Sequence, residues 1–144
     1  MNTKALFSSA TDSWETPQDL FDYYNKIFKF DIDLCAEESN AKCKIYYSKE
    51  VDSLKQDWKG TCWLNPPYGR EIHLWMKKAY DASVENDACI VALIPARTDT
   101  KWWHDYVKKA YKVEEIKGRL KFGNAKNSAP FPSAVVIFMN GYVR

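Results

Sequence analysis

Asn65-Pro66-Pro67-Tyr68 follows a short apolar segment, Thr61-Cys62-Trp63-Leu64, and its residue types point to one kind of chemistry. Each proline fixes φ and removes a backbone donor, and a residue before proline is pushed toward extended conformations. A strand ending this way cannot continue pairing. It leaves a stiff corner whose polar atoms are acceptors, the Asn65 side-chain oxygen and the Pro66 carbonyl, with the Tyr68 ring beside them. Two such acceptors can grip both hydrogens of an exocyclic amine on an aromatic base. That amine is a poor nucleophile because its lone pair is delocalised into the ring, so turning the lone pair toward an electrophile is the help it needs. Positive charge grows on the nitrogen as it attacks, and fixed oxygen dipoles stabilise it. A proline-rich turn that merely ends a strand is the plainer reading of a Pro-Pro pair. The Asn and Tyr flanking it in order, after an apolar strand, argue against that reading.

Such a corner has to be held by regular elements. Thr16-Pro17 reads as an N-cap followed by proline at the first helical position, and Leu20, Phe21, Tyr24, Ile27 and Phe28 give a helix over 17–28. Phe30 to Cys35 alternates as a strand with one apolar face, whereas 36–60 has weak periodicity. Ile72, Trp75, Met76, Ala79 and Tyr80 mark a helix over 71–84, and the unbroken apolar run of 88–95 marks a central strand buried on both faces. A helix over 101–110 and strands at 112–116, 119–122 and 134–139 complete the expectation. Strands alternating with helices predict an α/β sandwich, its sheet mostly parallel with a C-terminal antiparallel strand pair. In open α/β sheets ligands bind beyond the carboxyl ends of the strands, which selects 33–35, 65–68 and 95–97 as rim positions.

The 144 residues fit one domain, with 1–13 as a flexible N-terminal segment and 14–144 as a single catalytic domain without a separate target-recognition module. Six Trp, nine Tyr and seven Phe exceed what a core needs and leave rings for stacking on flat ligands. No apolar run reaches membrane-spanning length and no signal-peptide pattern appears, which predicts a cytoplasmic protein without a membrane partner. Cys35, Cys43, Cys62 and Cys89 lack paired short spacings, so reduced thiols are expected rather than disulfides or a metal site. Residues 97–144 carry a net +6 and residues 1–96 a net −4, an asymmetry that suits a C-terminal half facing a polyanion. Arg97, Lys101, Arg119, Lys121 and Lys126 are the candidates for phosphate contacts. A solvated surface with uneven charge is the plainer alternative. His73 and His104 read as surface or satisfied helix residues, since an exocyclic aromatic amine needs no base before attack. Asp99 reads as a cap for the next helix, and Trp102-Trp103 as one buried and one exposed ring.

The tetrapeptide is the signature of amino-methyltransferases that use S-adenosylmethionine, and the wider chain resembles the phage-type DNA N6-adenine methyltransferases. The resemblance rests on Trp14-Glu15-Thr16-Pro17, Asp31-Ile32-Asp33-Leu34-Cys35-Ala36, Asn40-Ala41-Lys42-Cys43, Ile94-Pro95-Ala96-Arg97-Thr98-Asp99-Thr100, Gly118-Arg119-Leu120-Lys121-Phe122-Gly123 and Ala129-Pro130-Phe131-Pro132-Ser133-Ala134, in order. It implies a Rossmann-like methyltransferase fold, S-adenosyl-L-methionine as cofactor, and double-stranded DNA as partner, in a bacterial host cell carrying a phage or prophage. It places Asp33 near the methionine amino group, Thr16 and Pro17 at the methionine carboxylate, and Asp52 at the cofactor's adenine, with Trp14, Cys35 and Ala36 in the same set. It gives Asn65, Pro66, Pro67 and Tyr68 the catalytic roles, and Phe131 or Phe122 the second ring that sandwiches a target base turned out of the duplex. One departure is plain: where such folds often carry a Gly-rich turn after the first strand, Cys35-Ala36-Glu37-Glu38 stands here.

Two other functions share parts of this pattern. The same chemistry on cytosine N4 or on RNA uses the same tetrapeptide, and a degenerate methyltransferase fold would bind DNA or protein without catalysis. Cofactor binding separates the second from the first.

Overall fold

In the computed structural model, residues 14–123 and 125–140 are described; the segment expected at 1–13 therefore lies outside the described residues. Helix α1 (Gln18–Phe28) buries Phe21 and Tyr24 and ends where Lys29 takes a left-handed conformation at φ 57°. Pro17, at φ −62° and ψ 132°, is the N-cap itself. Thr16 therefore stands one residue too early to cap α1, and its hydroxyl is used elsewhere. Ile27, expected on the apolar face, is 59% exposed.

Among the described residues five strands form one mixed sheet, in the spatial order β1 (Ile32–Asp33), β2 (Thr61–Leu64), β3 (Cys89–Pro95), β5 (Ser133–Phe138), β4 (Lys112–Glu115). Strand β1 (Ile32–Asp33) is far shorter than the expected 30–35, although the Asp31 and Leu34 amides still donate to the carbonyls of Thr61 and Trp63. Strand β2 (Thr61–Leu64) pairs in parallel with β1 on one side and with β3 (Cys89–Pro95) on the other. The antiparallel pair expected at the end of the chain does not stand apart. Strand β5 (Ser133–Phe138) inserts antiparallel between β3 and β4 (Lys112–Glu115), so two pairings are parallel and two antiparallel. Burial explains the order. All six β5 residues are buried, as befits a strand flanked on both edges, whereas β4 is exposed or half-buried throughout and serves as an edge. Residues 119–122 form no strand, and the Leu120 carbonyl accepts the Ala129 amide instead. Phe122 is nonetheless buried in that stretch.

Aromatic rings join helices to sheet. Trp63 of β2 is fully buried, with ring centroids 5.5 Å from Phe21 and from Phe30. Helix α2 (Ile72–Glu85) turns Ile72, Trp75, Met76, Ala79 and Ala82 inward, and Trp75 stacks on the fully buried Trp58 at 5.9 Å. The Trp58 indole donates to the Ser53 carbonyl at 3.0 Å, which satisfies its one polar atom. The expected 101–110 helix is cut short as α3 (Lys101–Asp105), because the chain turns at Tyr106 to drive Val107 into the core. Thr100 caps α3 by accepting the Trp103 amide, a role expected of Asp99. Trp103 is buried and Trp102 half-buried.

Candidate active site

The parallel strands β1 and β2 end side by side, at Asp33 and Leu64, in register through Asp33 and Trp63. Beyond them opens a cavity of about 410 Å³, within the ~300–1,000 Å³ of ordinary ligand pockets. Its lining contains Trp14, Thr16, Asp33, Cys35, Ala36 and Asp52 from the expected cofactor set, and Asn65, Pro66 and Pro67 from the tetrapeptide. Residues far apart in the chain thus share one wall. Pro17 is buried at the start of α1 rather than on the lining, and the expected third rim segment, 95–97, is also absent from it. There the Ala96 amide is tied to the Pro132 carbonyl, which closes the end of β3.

Asn65 is held firmly. Its amide nitrogen donates to the Trp14 carbonyl and to Thr16 Oγ1, the latter at 3.0 Å. A backbone carbonyl can only accept, so the nitrogen must face it and the orientation of the amide follows. Asn65 Oδ1 is buried and has no partner; among the described residues only Ser133 Oγ shares that condition. A buried acceptor without a donor costs ~1–3 kcal/mol, so each such group in a native structure calls for an explanation.

Asp33 is 3% exposed, and burial pushes its carboxyl up to about 6 against the opposing pull of two backbone donors. Those donors are the amides of Cys35 at 3.2 Å and Lys42 at 3.0 Å. They explain how the chain turns after β1 without a glycine-rich sequence. The Asp33 carboxylate bonds the backbone two residues on and so builds the turn with its own side chain. Burial likewise raises the thiols of Cys35 and Cys62 to about 12 and of Cys43 to about 11, which keeps them protonated and poor ligands or nucleophiles. All four cysteines are free, and no cluster able to hold a metal ion occurs among the described residues.

Tyr68 does not reach the cavity lining. It is 8% exposed and gives its hydroxyl to the Leu93 carbonyl at 2.8 Å. Its ring stands edge-on to Phe122 at 6.0 Å and to Phe131 at 5.7 Å, and Trp14 meets the same two rings at 5.3 and 5.1 Å. The four aromatics are therefore brought together, with Trp14 on the cavity lining and the other three rings beside it. Arg97, Lys101, Arg119, Lys121 and Lys126 are all exposed, and Lys101 is paired with Asp105. His73 and His104 each face a backbone carbonyl, of Arg70 and Thr98, and are exposed, so both are satisfied surface residues.

Several lining residues were not among the expected site residues, among them Glu15, Glu37, Tyr47, Ser48, Lys49 and Trp75. Most come from the aperiodic stretch after β1. Tyr47 runs alongside β1 by exchanging backbone bonds with Asp33 and Ala36, pairing that a single bridge at Tyr46 scarcely announces.

Residues 3–142 match the family described as DNA N-6-adenine-methyltransferase (Dam). The chain is 36% identical over 127 residues to the DNA N-6-adenine-methyltransferase of Haemophilus phage HP1, covering 85% of this chain and 71% of that protein. It is 34% identical over 112 residues to the protein of the same name in Escherichia phage T1, covering 76% of this chain and 46% of the relative. A putative methyltransferase of Escherichia coli K12, YfdM, is 40% identical over 65 residues, covering 40% of this chain and 71% of that one. A cavity that gathers Asn65, Pro66, Pro67 and the buried Asp33 sits within a match over nearly the whole length, and that match shows that the chain belongs to the DNA N-6-adenine-methyltransferase family.

Proposed function

We propose that this chain transfers a methyl group from S-adenosyl-L-methionine to the N6 amine of adenine in DNA, on the Rossmann-like scaffold of this enzyme class, with residues 14–140 supplying both the cofactor pocket and the catalytic corner. The observation that carries the reading is the unpartnered, buried Oδ1 of Asn65 beside the cavity. An amine hydrogen is the partner this oxygen lacks.

The residues present fit the cofactor. Asp33, buried and pushed up to about 6, complements an ammonium group, which would restore its ionised form. The start of α1 next to Thr16 offers backbone N–H groups and a positive dipole end to a carboxylate. Asp52, with Ser53 and Leu54, lies on the same lining and would hold the nucleoside end. Bound there, the cofactor supplies an electrophilic methyl group on sulfonium sulfur. Asn65 Oδ1 and the Pro66 carbonyl accept the two amine hydrogens, which fixes the direction of the nitrogen lone pair. Both oxygens stabilise the charge that grows on nitrogen, and the proton leaves afterwards to solvent.

A flat base sandwiched between two rings needs them parallel and roughly 7 Å apart, twice the base spacing of DNA. Tyr68 and Phe131 are closer, at 5.7 Å and 72°. Tyr68 is anchored through its hydroxyl, so the half-buried Phe131 is the wall that moves to admit the base. The exposed Arg97, Arg119 and Lys121 would meet phosphates in the host cytoplasm, where DNA and cofactor occur together. Among the described residues no helix is long and apolar enough to cross a membrane.

The test is transfer of labelled methyl from S-adenosylmethionine to unmethylated DNA, followed by nucleoside analysis. N6-methyladenine, lost in Asn65→Ala, is the expected result. N4-methylcytosine, or incorporation into RNA alone, would refute the adenine assignment. Absence of cofactor binding would turn the reading toward a binding module.

A further inference from the structure

We propose that Thr16 is a positioning residue for the reaction, acting through Asn65: its hydroxyl is the acceptor that holds the Asn65 amide with its oxygen available to the target amine. The inference rests on the methyl-transfer reading above. The geometry is a bridge. Thr16 is 8% exposed, and its Oγ1 accepts from the Trp63 indole at 3.2 Å and from Asn65 Nδ2 at 3.0 Å. A hydroxyl has two acceptor lone pairs, so both are used and only its proton remains to give. The second hydrogen of the Asn65 amide goes to the Trp14 carbonyl. Both N–H bonds of that amide are thereby committed, which is the condition under which the amide cannot turn over and present nitrogen to the substrate.

Each end of the bridge is anchored independently. Trp63 is fully buried in β2 against Phe21 and Phe30. Thr16 is fixed by Pro17 and the start of α1. The orientation of the catalytic amide is therefore set by a rigid indole on one side and a helix entrance on the other, neither of which touches the reacting atoms. This also separates Thr16 from a simple role in gripping the cofactor's carboxylate. A gripping residue would alter cofactor affinity, whereas a positioning residue alters turnover at saturating cofactor.

Two variants of the full chain, measured beside wild type, decide between these roles: Thr16→Val, which keeps the shape and removes the hydroxyl, and Thr16→Ser, which keeps the hydroxyl. The expected result for Thr16→Val is a kcat about 10- to 100-fold lower, the effect of one or two lost hydrogen bonds, with the dissociation constant for S-adenosylmethionine within about twofold of wild type. Thr16→Ser should recover most of the lost turnover. In ¹⁵N-labelled protein without substrate, the Trp63 indole N–H resonance should shift and exchange faster in Thr16→Val and return in Thr16→Ser. Unchanged kcat with weakened cofactor binding would overturn the proposal, and so would a Thr16→Ser variant as slow as Thr16→Val. An indole resonance unmoved by Thr16→Val would overturn the bridge whether or not any DNA is methylated. Failure of the wild type to methylate adenine, with the indole response intact, would instead sink the functional reading.

Discussion

With Asp33 receiving the cofactor's ammonium as proposed, its buried carboxyl should make cofactor affinity depend on pH. Its group is pushed up to about 6 by burial, so near pH 5 only about one molecule in eleven carries the ionised form, and near pH 7 about ten in eleven do. If the cofactor's ammonium is received by the carboxylate, binding selects that form. Apparent affinity then scales with the ionised fraction and rises about tenfold from pH 5 to pH 7. Above pH ~7.7–8.0 the amino group of the ligand itself loses its proton, and affinity should fall again. Calorimetric titration of S-adenosylmethionine without DNA, across this range and in two buffers of different ionisation enthalpy, measures the affinity and the proton released on the acid limb. Asp33→Asn removes the charge and should bind about 10- to 100-fold more weakly near pH 7, the loss of a charged hydrogen bond, with no rise between pH 5 and pH 7. A flat profile in wild type, or an equal rise in Asp33→Asn, would refute the pairing of this carboxylate with the cofactor.

Other substitutions divide binding from chemistry. Asn65→Ala should abolish detectable transfer while cofactor binding by titration stays nearly unchanged. Asn65→Asp is nearly isosteric yet should also be slow, by about 10-fold or more. It sets an oxygen against the Trp14 carbonyl, where the wild type donates, and single-turnover rates check it. Tyr68→Phe removes the bond to the Leu93 carbonyl and should lower stability by about 1–2 kcal/mol in urea melts, with the ring, and most of the activity, retained. Tyr24→Phe breaks the 2.5 Å bond from α1 to Glu114 of β4 and should cost about 1 kcal/mol near neutral pH. That bond holds the Glu114 carboxyl below its ordinary range. Its contribution is present above the usual glutamate value of ~4.3 and is lost as pH falls through the lowered one, so the variant and wild type should converge in acid melts.

The sequence carries the site more openly than the sheet. Asn65-Pro66-Pro67 lines the cavity at the end of β2 as proline chemistry dictates, because the restriction on φ is local and nothing distant can relax it. The apolar run of β3 and the inward face of α2 were legible for the same reason: each is a pattern within one element. What failed was information held between elements. The insertion of β5 beside β3 depends on which edge has a buried partner free, and the aperiodic stretch after β1 takes its course from the Asp33 carboxylate and the Tyr47 backbone. Leu120 and Phe122 alternate as a strand would, yet Phe122 spends its burial on an aromatic cluster instead. Thr16 reads as a cap in sequence because Thr-Pro so often is one; only the fold shows the Trp63 indole and the Asn65 amide converging on its hydroxyl.

The placement of β5 also bears on how the chain is made. Pro95 pairs with Ser133 and Ile90 with Phe138, so the most apolar strand of the sheet emerges from the ribosome long before the strand that covers one of its edges. Until then β3 presents a bare, wholly hydrophobic edge, the kind that neighbouring nascent chains zip onto. A fragment ending before Ser133 should collect in inclusion bodies, whereas one extending through Phe138 should stay dispersed. Residence on a holdase chaperone during synthesis should lengthen when translation is slowed between Ala96 and Pro132 and be indifferent to pauses placed after Met139.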